Sequence, residues 1–98
     1  MSAAVHLCVQ LWANPGQDSA LIDFEDQVLA LIPHHGGRVL QRVRRTEPSE
    51  EALEVQVISF PNDAAFEAYL ADPERLALGN HREIAIARTV ITRVQIIE

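Results

Sequence analysis

Residues 4–17, AVHLCVQLWANPGQ, decide how the chain begins: a strand followed at once by a turn. Aliphatic side chains stand at every second position of this stretch: Val5, Leu7, Val9 and Leu11. A period of two predicts a strand with one apolar face. Asn14-Pro15-Gly16 is a sequence typical of a turn and predicts the end of the strand. Asp18 is placed to cap a following helix.

The remaining elements follow from the same reasoning. The pattern predicts a helix to about residue 32, strands over 38–45 and 52–60, a helix capped by Asn62 that runs to about residue 71, a fresh helical start at Asp72-Pro73, and a last strand over 89–97. Residues 81–88 fit either another helical turn or two or an irregular approach to that strand. The order β-α-β-β-α-β predicts an α+β, ferredoxin-like fold, with one antiparallel sheet and both helices on one face.

Length and composition narrow the class of protein. The 98 residues predict a single domain over 1–98, with a formal net charge of −6. All 8 basic residues are arginine. An acidic chain gains nothing on a phosphate backbone, so we expect no nucleic-acid partner, although RNA-recognition domains share this element order.

Cysteine content and hydropathy indicate the cellular compartment and the cofactors that the protein can have. The single cysteine, Cys8, excludes an intrachain disulfide and argues against a thiolate metal site, and no motif indicates a cofactor. Residues 1–4 lead into the first strand without a basic, apolar leader, and no apolar run approaches the ~20 residues that span a bilayer. We therefore expect a cytoplasmic protein with no bound cofactor, no metal and no membrane partner.

The sheet face opposite the helices should be polar if it meets water. The alternation instead assigns several large apolar side chains to it: Trp12, Leu40, Ile58, Phe60, Ile91 and Ile97. An apolar patch of this kind predicts a homodimer in which two sheets pack face to face. The alternative is a set of scattered surface hydrophobic residues, which are common on monomers.

Three segments resemble a known superfamily. They are His35-Gly36-Gly37-Arg38-Val39-Leu40, then Ile58-Ser59-Phe60-Pro61 with the helix 65–70 after it, and Asp72-Pro73-Glu74-Arg75. Together they resemble the dimeric α/β-barrel superfamily, which includes the antibiotic-biosynthesis monooxygenases, and most of all a small bacterial family of unknown function within it. The resemblance implies a ferredoxin-like fold and a dimer. It does not carry over a monooxygenase activity, because Ser59 replaces a common acidic residue and the family's Trp, Asn, Tyr and Arg set is not matched.

Glu25 is the first candidate catalytic residue. On a helical wheel it falls between Leu21 and Leu29, on the arc that faces the sheet. Burial there would raise the pKa of its carboxyl and suit it to general acid or base work. The alternative is a residue at the shoulder of the helix whose carboxylate reaches water.

His35 and Arg38 complete the candidate set. His35 lies at a helix end, where a neutral imidazole could exchange protons near pH 7, or where the helix dipole could simply stabilise its charged form. Arg38, like Arg82 and Arg88, could bind a substrate carboxylate through its guanidinium group or pair with one of the many acids. These residues are compatible with a cofactor-independent enzyme, monooxygenase-like or acid–base, acting on a small organic molecule. They are equally compatible with a non-catalytic ligand-binding or assembly module.

Overall fold

The computed structural model describes residues 4–98 as one four-stranded antiparallel sheet with helices on one face. The strands are β1 (Val5–Ala13), β2 (Arg38–Arg44), β3 (Glu54–Phe60) and β4 (Ile86–Arg93). The helices are α1 (Asp18–Leu29), α2 (Asp63–Leu70), α3 (Pro73–Leu76) and α4 (Gly79–Ala85), and a 3-10 turn spans Ile32–His35. The strand order β2-β3-β1-β4 confirms the predicted ferredoxin-like fold.

Several boundaries differ from the prediction: among them, β3 starts at Glu54 rather than at residue 52, and β4 ends at Arg93 rather than at residue 97. Helix α1 ends at Leu29, because the chain tightens into the 3-10 turn that contains Pro33. Asp18 does not cap α1. It is the first helical residue, where its negative charge interacts favourably with the positive end of the helix dipole. The ambiguous segment forms α4, and β4 starts at Ile86 rather than at residue 89.

The two predicted caps further along the chain are confirmed. Asn62 Oδ1 accepts a hydrogen bond from the Ala65 amide at 2.8 Å, which fixes the start of α2. Asp72 Oδ1 accepts one from the Glu74 amide at 2.8 Å, with Pro73 in the first turn of α3.

The predicted face of β3 is wrong. Ile58 and Phe60 are buried under the helices, at 3% and 1% exposure, together with Glu54 and Gln56. Ile91 also belongs to this inner face, since it pairs with the buried Val9 of β1. Both faces of β3 carry apolar side chains. The face that packs under the helices is the one with Glu54 and Gln56, whose polar partners lie on β2 and α1.

The outer face, opposite the helices, carries a different set of apolar side chains, mixed with polar ones such as Gln10 and Thr92. It includes Trp12 and Cys8 of β1, Val55 and Val57 of β3, Val43 of β2 and Val90 of β4. Trp12 itself is half-buried, with the Arg88 guanidinium 4.7 Å from its ring centroid and its Nε1 donating to the Glu50 carbonyl at 2.9 Å.

Two residues that the sequence predicted for the outer face, Leu40 and Ile97, are not paired with a neighbouring strand. Leu40 lies at the register shift between Val39 and Gln41, a bulge in the edge strand β2. Ile97 lies beyond β4 and is 80% exposed.

Glycine is required at both positions after the 3-10 turn, for a different physical reason at each. Gly36 has φ +73°, in the left-handed region that glycine enters without a Cβ penalty. Gly37 packs so closely that a Cβ there would lie 2.6 Å from Ile32 Cγ2 and 2.8 Å from Phe60 Cδ1. Because Gly37 directly precedes β2, its close packing places the first residue of that strand beside the core.

Across residues 4–98, none of the helices is long and apolar enough to cross a membrane.

Candidate functional site

A cleft opens between the helices and the inner face of the sheet. Its apolar walls come from β1, β3, β4, α1 and α2: Val9, Leu11, Phe24, Val28, Leu29, Ile58, Phe66, Leu70, Ile86 and Ile91. Its polar lining comes from six side chains: Glu25, Gln56, Tyr69, Arg75, Arg82 and Thr89. The cleft has a volume of about 440 Å³, counted out to its open mouth.

The inner end of the cleft holds a carboxyl group and an amide. Glu25, on α1, is only 5% exposed, and Gln56, on β3, is 1% exposed. Gln56 Nε2 donates to Glu25 Oε1 at 2.7 Å. Burial raises the pKa of Glu25, and the hydrogen bond from Gln56 offsets only part of that rise. The protonated form of Glu25 is therefore favoured more than in water.

Behind this pair lies a second, ionised carboxylate. Glu54 is fully buried, and it accepts a hydrogen bond from Gln56 Nε2 at 2.6 Å. Arg42 Nε and Arg44 Nε each donate to one of its oxygens at 2.7 Å. Burial opposes ionisation here, but the hydrogen bonds from Arg42, Gln56 and Arg44 outweigh it and lower the pKa of Glu54.

The same network reaches the surface through Arg42. Its NH1 group donates to Asp26 Oδ1 at 2.7 Å, on the exposed side of α1. Arg42 thus joins β2 and β3 to α1 and holds the helix over the strand that contains Gln56. Arg42 and Arg44 of β2 both pair with Glu54 of the neighbouring strand β3 rather than with the acidic residues of the loop between the two strands.

An aromatic side chain and a cation lie among the other polar groups of the cleft. Tyr69, on α2, is 5% exposed, and burial raises the pKa of its phenol while Arg75 works in the opposite direction. The Arg75 guanidinium lies over the Tyr69 ring at 5.1 Å from its centroid. The cap at Asp72 fixes the start of α3 and so places Arg75 in the last turn of that short helix.

The three candidates from the sequence are not brought together. Glu25 lines the cleft. His35 instead sits in the 3-10 turn with its Nε2 2.7 Å from Asp72 Oδ2 and its ring edge toward Tyr69, and the hydrogen bond from His35 lowers the pKa of Asp72. Arg38 is exposed at the start of β2, paired in register with Ser59, and is not part of the cleft lining.

Sequence reasoning missed Gln56, Tyr69 and Arg75 as site residues. Gln56 offered one signal: it is a polar residue inside an otherwise apolar strand, at a phase shared with Ile58 and Phe60. Tyr69 and Arg75 lie in segments that carry the family resemblance, but those segments did not mark them as site residues, because their place in the cleft depends on how α2 and α3 pack on the sheet.

Comparison with known proteins supports the fold. No protein-family model matches the chain, and no curated protein is significantly similar to it. Among solved structures, it is similar to PA3566 from Pseudomonas aeruginosa, with a TM-score of 0.76, 20% identity, and coverage of 100% of this chain and 98% of that one.

Two further solved structures match over almost their full length. A candidate antibiotic biosynthesis monooxygenase from Caulobacter crescentus gives a TM-score of 0.78 at 16% identity, covering 99% of this chain and 92% of that one. A dimeric protein of unknown function with a ferredoxin-like fold, from Bacteroides fragilis, gives 0.70 at 15% identity, covering 95% and 96%. The resemblance seen in the sequence motifs is therefore confirmed at the level of the fold: this chain is a ferredoxin-like protein of the same architecture.

Proposed function

We propose that this protein is an acid–base enzyme that acts on a small organic molecule in the cleft, with Glu25 as the group that moves the proton. The observation that carries the proposal is the placement of Glu25: a carboxyl buried in an apolar cleft, held by one amide, with a raised pKa. General acid–base catalysis is most effective when the pKa of the catalytic group lies near the working pH, and burial moves a carboxyl in that direction.

The neighbouring side chains suit this chemistry. Gln56 fixes one oxygen of Glu25, so the other is available to a ligand. The phenol of Tyr69 and the guanidinium of Arg75 also line the cleft and can stabilise negative charge that develops on a substrate oxygen. The monooxygenase name of the Caulobacter crescentus relative fits a small organic substrate.

Proton exchange at carbon tests the proposal. A panel of small ketones and 1,3-diketones is incubated with the protein in D2O, and deuterium incorporation is followed by proton NMR. We expect wild type and Asp23→Asn, an exposed control on α1, to speed exchange of at least one compound, and Glu25→Gln to lose roughly 100-fold or more of that rate. Equal rates in wild type and Glu25→Gln would contradict the role of Glu25.

A second candidate is a ligand-binding module without catalysis. It is favoured by the mainly apolar lining of the cleft, in which ten of the sixteen side chains are apolar, as in sites that only bind a ligand. Compounds that bind the cleft of both wild type and Glu25→Gln without any exchange would support this candidate over the enzyme.

We also propose that the protein works as a homodimer joined through the outer sheet face. Valines at the centre of that face, Val55, Val57 and Val90, are only partly covered in the single chain. Packing two such faces together would bury them, and the Bacteroides fragilis relative is dimeric. Light scattering after size exclusion tests this directly, and a monomer at micromolar concentration would contradict it.

A further inference from the structure

Two arginines line the cleft without an acidic partner. Among residues 4–98, ion pairs with carboxylates engage Arg42, Arg44 and Arg93, whereas neither Arg75 nor Arg82 lies within 4.0 Å of one. Among the same residues Arg38, Arg45 and Arg88 also lack a carboxylate partner, but they lie outside the cleft, so Arg75 and Arg82 are the arginines that present an unpaired charge to its lining. We propose that the cleft takes a small, largely apolar molecule with one anionic group, a monocarboxylate, and that Arg75 and Arg82 bind the anion.

Arg75 is the better-placed of the two. Its NH1 group donates to the Leu70 carbonyl at a long 3.5 Å, and its Nε is buried with no hydrogen-bond partner. A buried donor without a partner is costly, and a carboxylate oxygen is the acceptor that a guanidinium group binds best. Its position over the Tyr69 ring holds the guanidinium plane in place for such a ligand.

Arg82 contributes a second, more exposed cation. It lies on α4, and its NH2 donates to Thr89 Oγ1 at 3.3 Å, a neutral partner that leaves its charge uncompensated. Thr89 also lines the cleft, so the contact holds the arginine against the cleft lining. The two guanidinium groups therefore give the lining of the cleft a positive character within a protein of net charge −6.

The inner end of the cleft fits the other half of such a ligand. Its walls are aliphatic and aromatic, and Glu25 is the one acidic side chain among the lining residues. Burial favours the neutral form of Glu25, which repels an anion less than a carboxylate would and does not attract a cation. Because the Glu25 end of the cleft is buried and Arg82 is exposed, the apolar part of the ligand lies inward and its anionic group lies toward the two arginines.

This inference rests on the proposed site but not on its chemistry, so a binding experiment can test it. The full chain is titrated with phenylacetate and hexanoate, with their primary amides, and with phenethylamine and hexylamine. Amide chemical shifts of Ile58, Leu70 and Thr89 report binding in the cleft. We expect the acids to bind at least tenfold more tightly than the amides, the amines to bind more weakly still, and added salt to weaken only the charged ligands.

Arginine variants assign the effect to the two side chains. Arg75→Gln and Arg82→Gln should each weaken binding of the acids severalfold and leave the amides unchanged. Arg93→Gln, exposed at the end of β4 and outside the cleft lining, is the matched control and should change neither. Because Arg82 is exposed, its variant remains informative even if Arg75→Gln disturbs the packing of α3.

The outcomes separate the two proposals. Acids and amides of equal affinity, or amines that bind most tightly, would overturn the inference of an anionic ligand while leaving the cleft as a binding site. The absence of any shift in the cleft with all six compounds would overturn both the inference and the proposed site.

Discussion

The side-chain amide of Gln56 donates to the carboxyl of Glu25 across 2.7 Å. The same nitrogen donates to Glu54 at 2.6 Å, so one amide joins two carboxyl groups. Their surroundings move their pKa values in opposite directions, upward for Glu25 by burial and downward for Glu54 through its arginines. Such a separation is how one site can hold a neutral acid beside an ionised carboxylate.

The stability of the protein should depend on pH through Glu25. Because burial raises its pKa in the folded state, ionising Glu25 destabilises the fold: its favourable contribution is complete below the ordinary pKa of 4.5 and is lost as the pH rises through the folded-state value. We expect Glu25→Gln to become more stable relative to wild type as the pH rises from about 4.5 to about 8. Urea unfolding followed by circular dichroism measures this, and Asp23→Asn should show no such trend. Parallel pH profiles for wild type and Glu25→Gln would contradict the raised pKa.

Glu54 should act in the opposite pH range. Its pKa is lowered, so its contribution is present above the ordinary value of 4.5 and is lost as the pH falls through the folded-state value. At pH 7, Glu54→Gln removes the charge that Arg42 and Arg44 share, and we expect a loss of about 2–3 kcal/mol in the free energy of unfolding. The estimate is below the usual cost for a buried pair because both arginines reach solvent. Glu51→Gln, in the exposed loop, is the control and should cost less than about 0.5 kcal/mol.

Gly37→Ala should disturb the start of β2. The new Cβ would meet Ile32 and Phe60, both fully buried, at distances that force one of them to move. We expect a loss of about 1–3 kcal/mol, typical of overpacking in a core. Gly79→Ala makes the matched control, since nothing lies within 4 Å of its Cβ and alanine favours a helix, so this change should be neutral or stabilising by up to about 1 kcal/mol. Thermal unfolding distinguishes the two, and equal midpoints would show that the packing at Gly37 is looser than described.

A charge on the outer sheet face should separate the proposed dimer. Val43 is 48% exposed in the single chain, so Val43→Glu is tolerated by the monomer but would place a carboxylate in an apolar interface. We expect light scattering to give the monomer mass for this variant with an unchanged circular dichroism spectrum. Leu76→Glu, on the helical side and 62% exposed, should keep the wild-type mass. A wild-type mass for both variants would place the interface elsewhere.

Much of the fold could be predicted because its signals are local. The alternation of β1, the cap at Asn62 and the Asp72-Pro73 start each depend on a few neighbouring residues. The inner face of β3 could not be predicted in this way, since Val55 and Val57 give one apolar phase and Ile58 and Phe60 the other. Glu54 and Gln56 go inside because partners from β2 and α1 satisfy them there, which no local pattern shows.

Only part of the candidate site could be predicted from the sequence, for the same reason. Glu25 could be found, because a helical wheel reports which face of α1 is buried. The role of His35 could not, since its partner Asp72 lies 37 residues further along the chain. Arg75 needed the packing of α3 beside Tyr69 to bring it into the cleft.

The bulge at Leu40 has a consequence for how the chain avoids self-association along its sheet edge. Strand β2 is an edge strand, with unpaired backbone groups on its outer side. A straight, apolar edge would offer a template for strands of other molecules, whereas a bulge interrupts the regular spacing of those groups. The charged side chains of Arg38 and Arg44 on the same strand oppose docking further, so β2 is protected against edge-to-edge aggregation by both its shape and its charge.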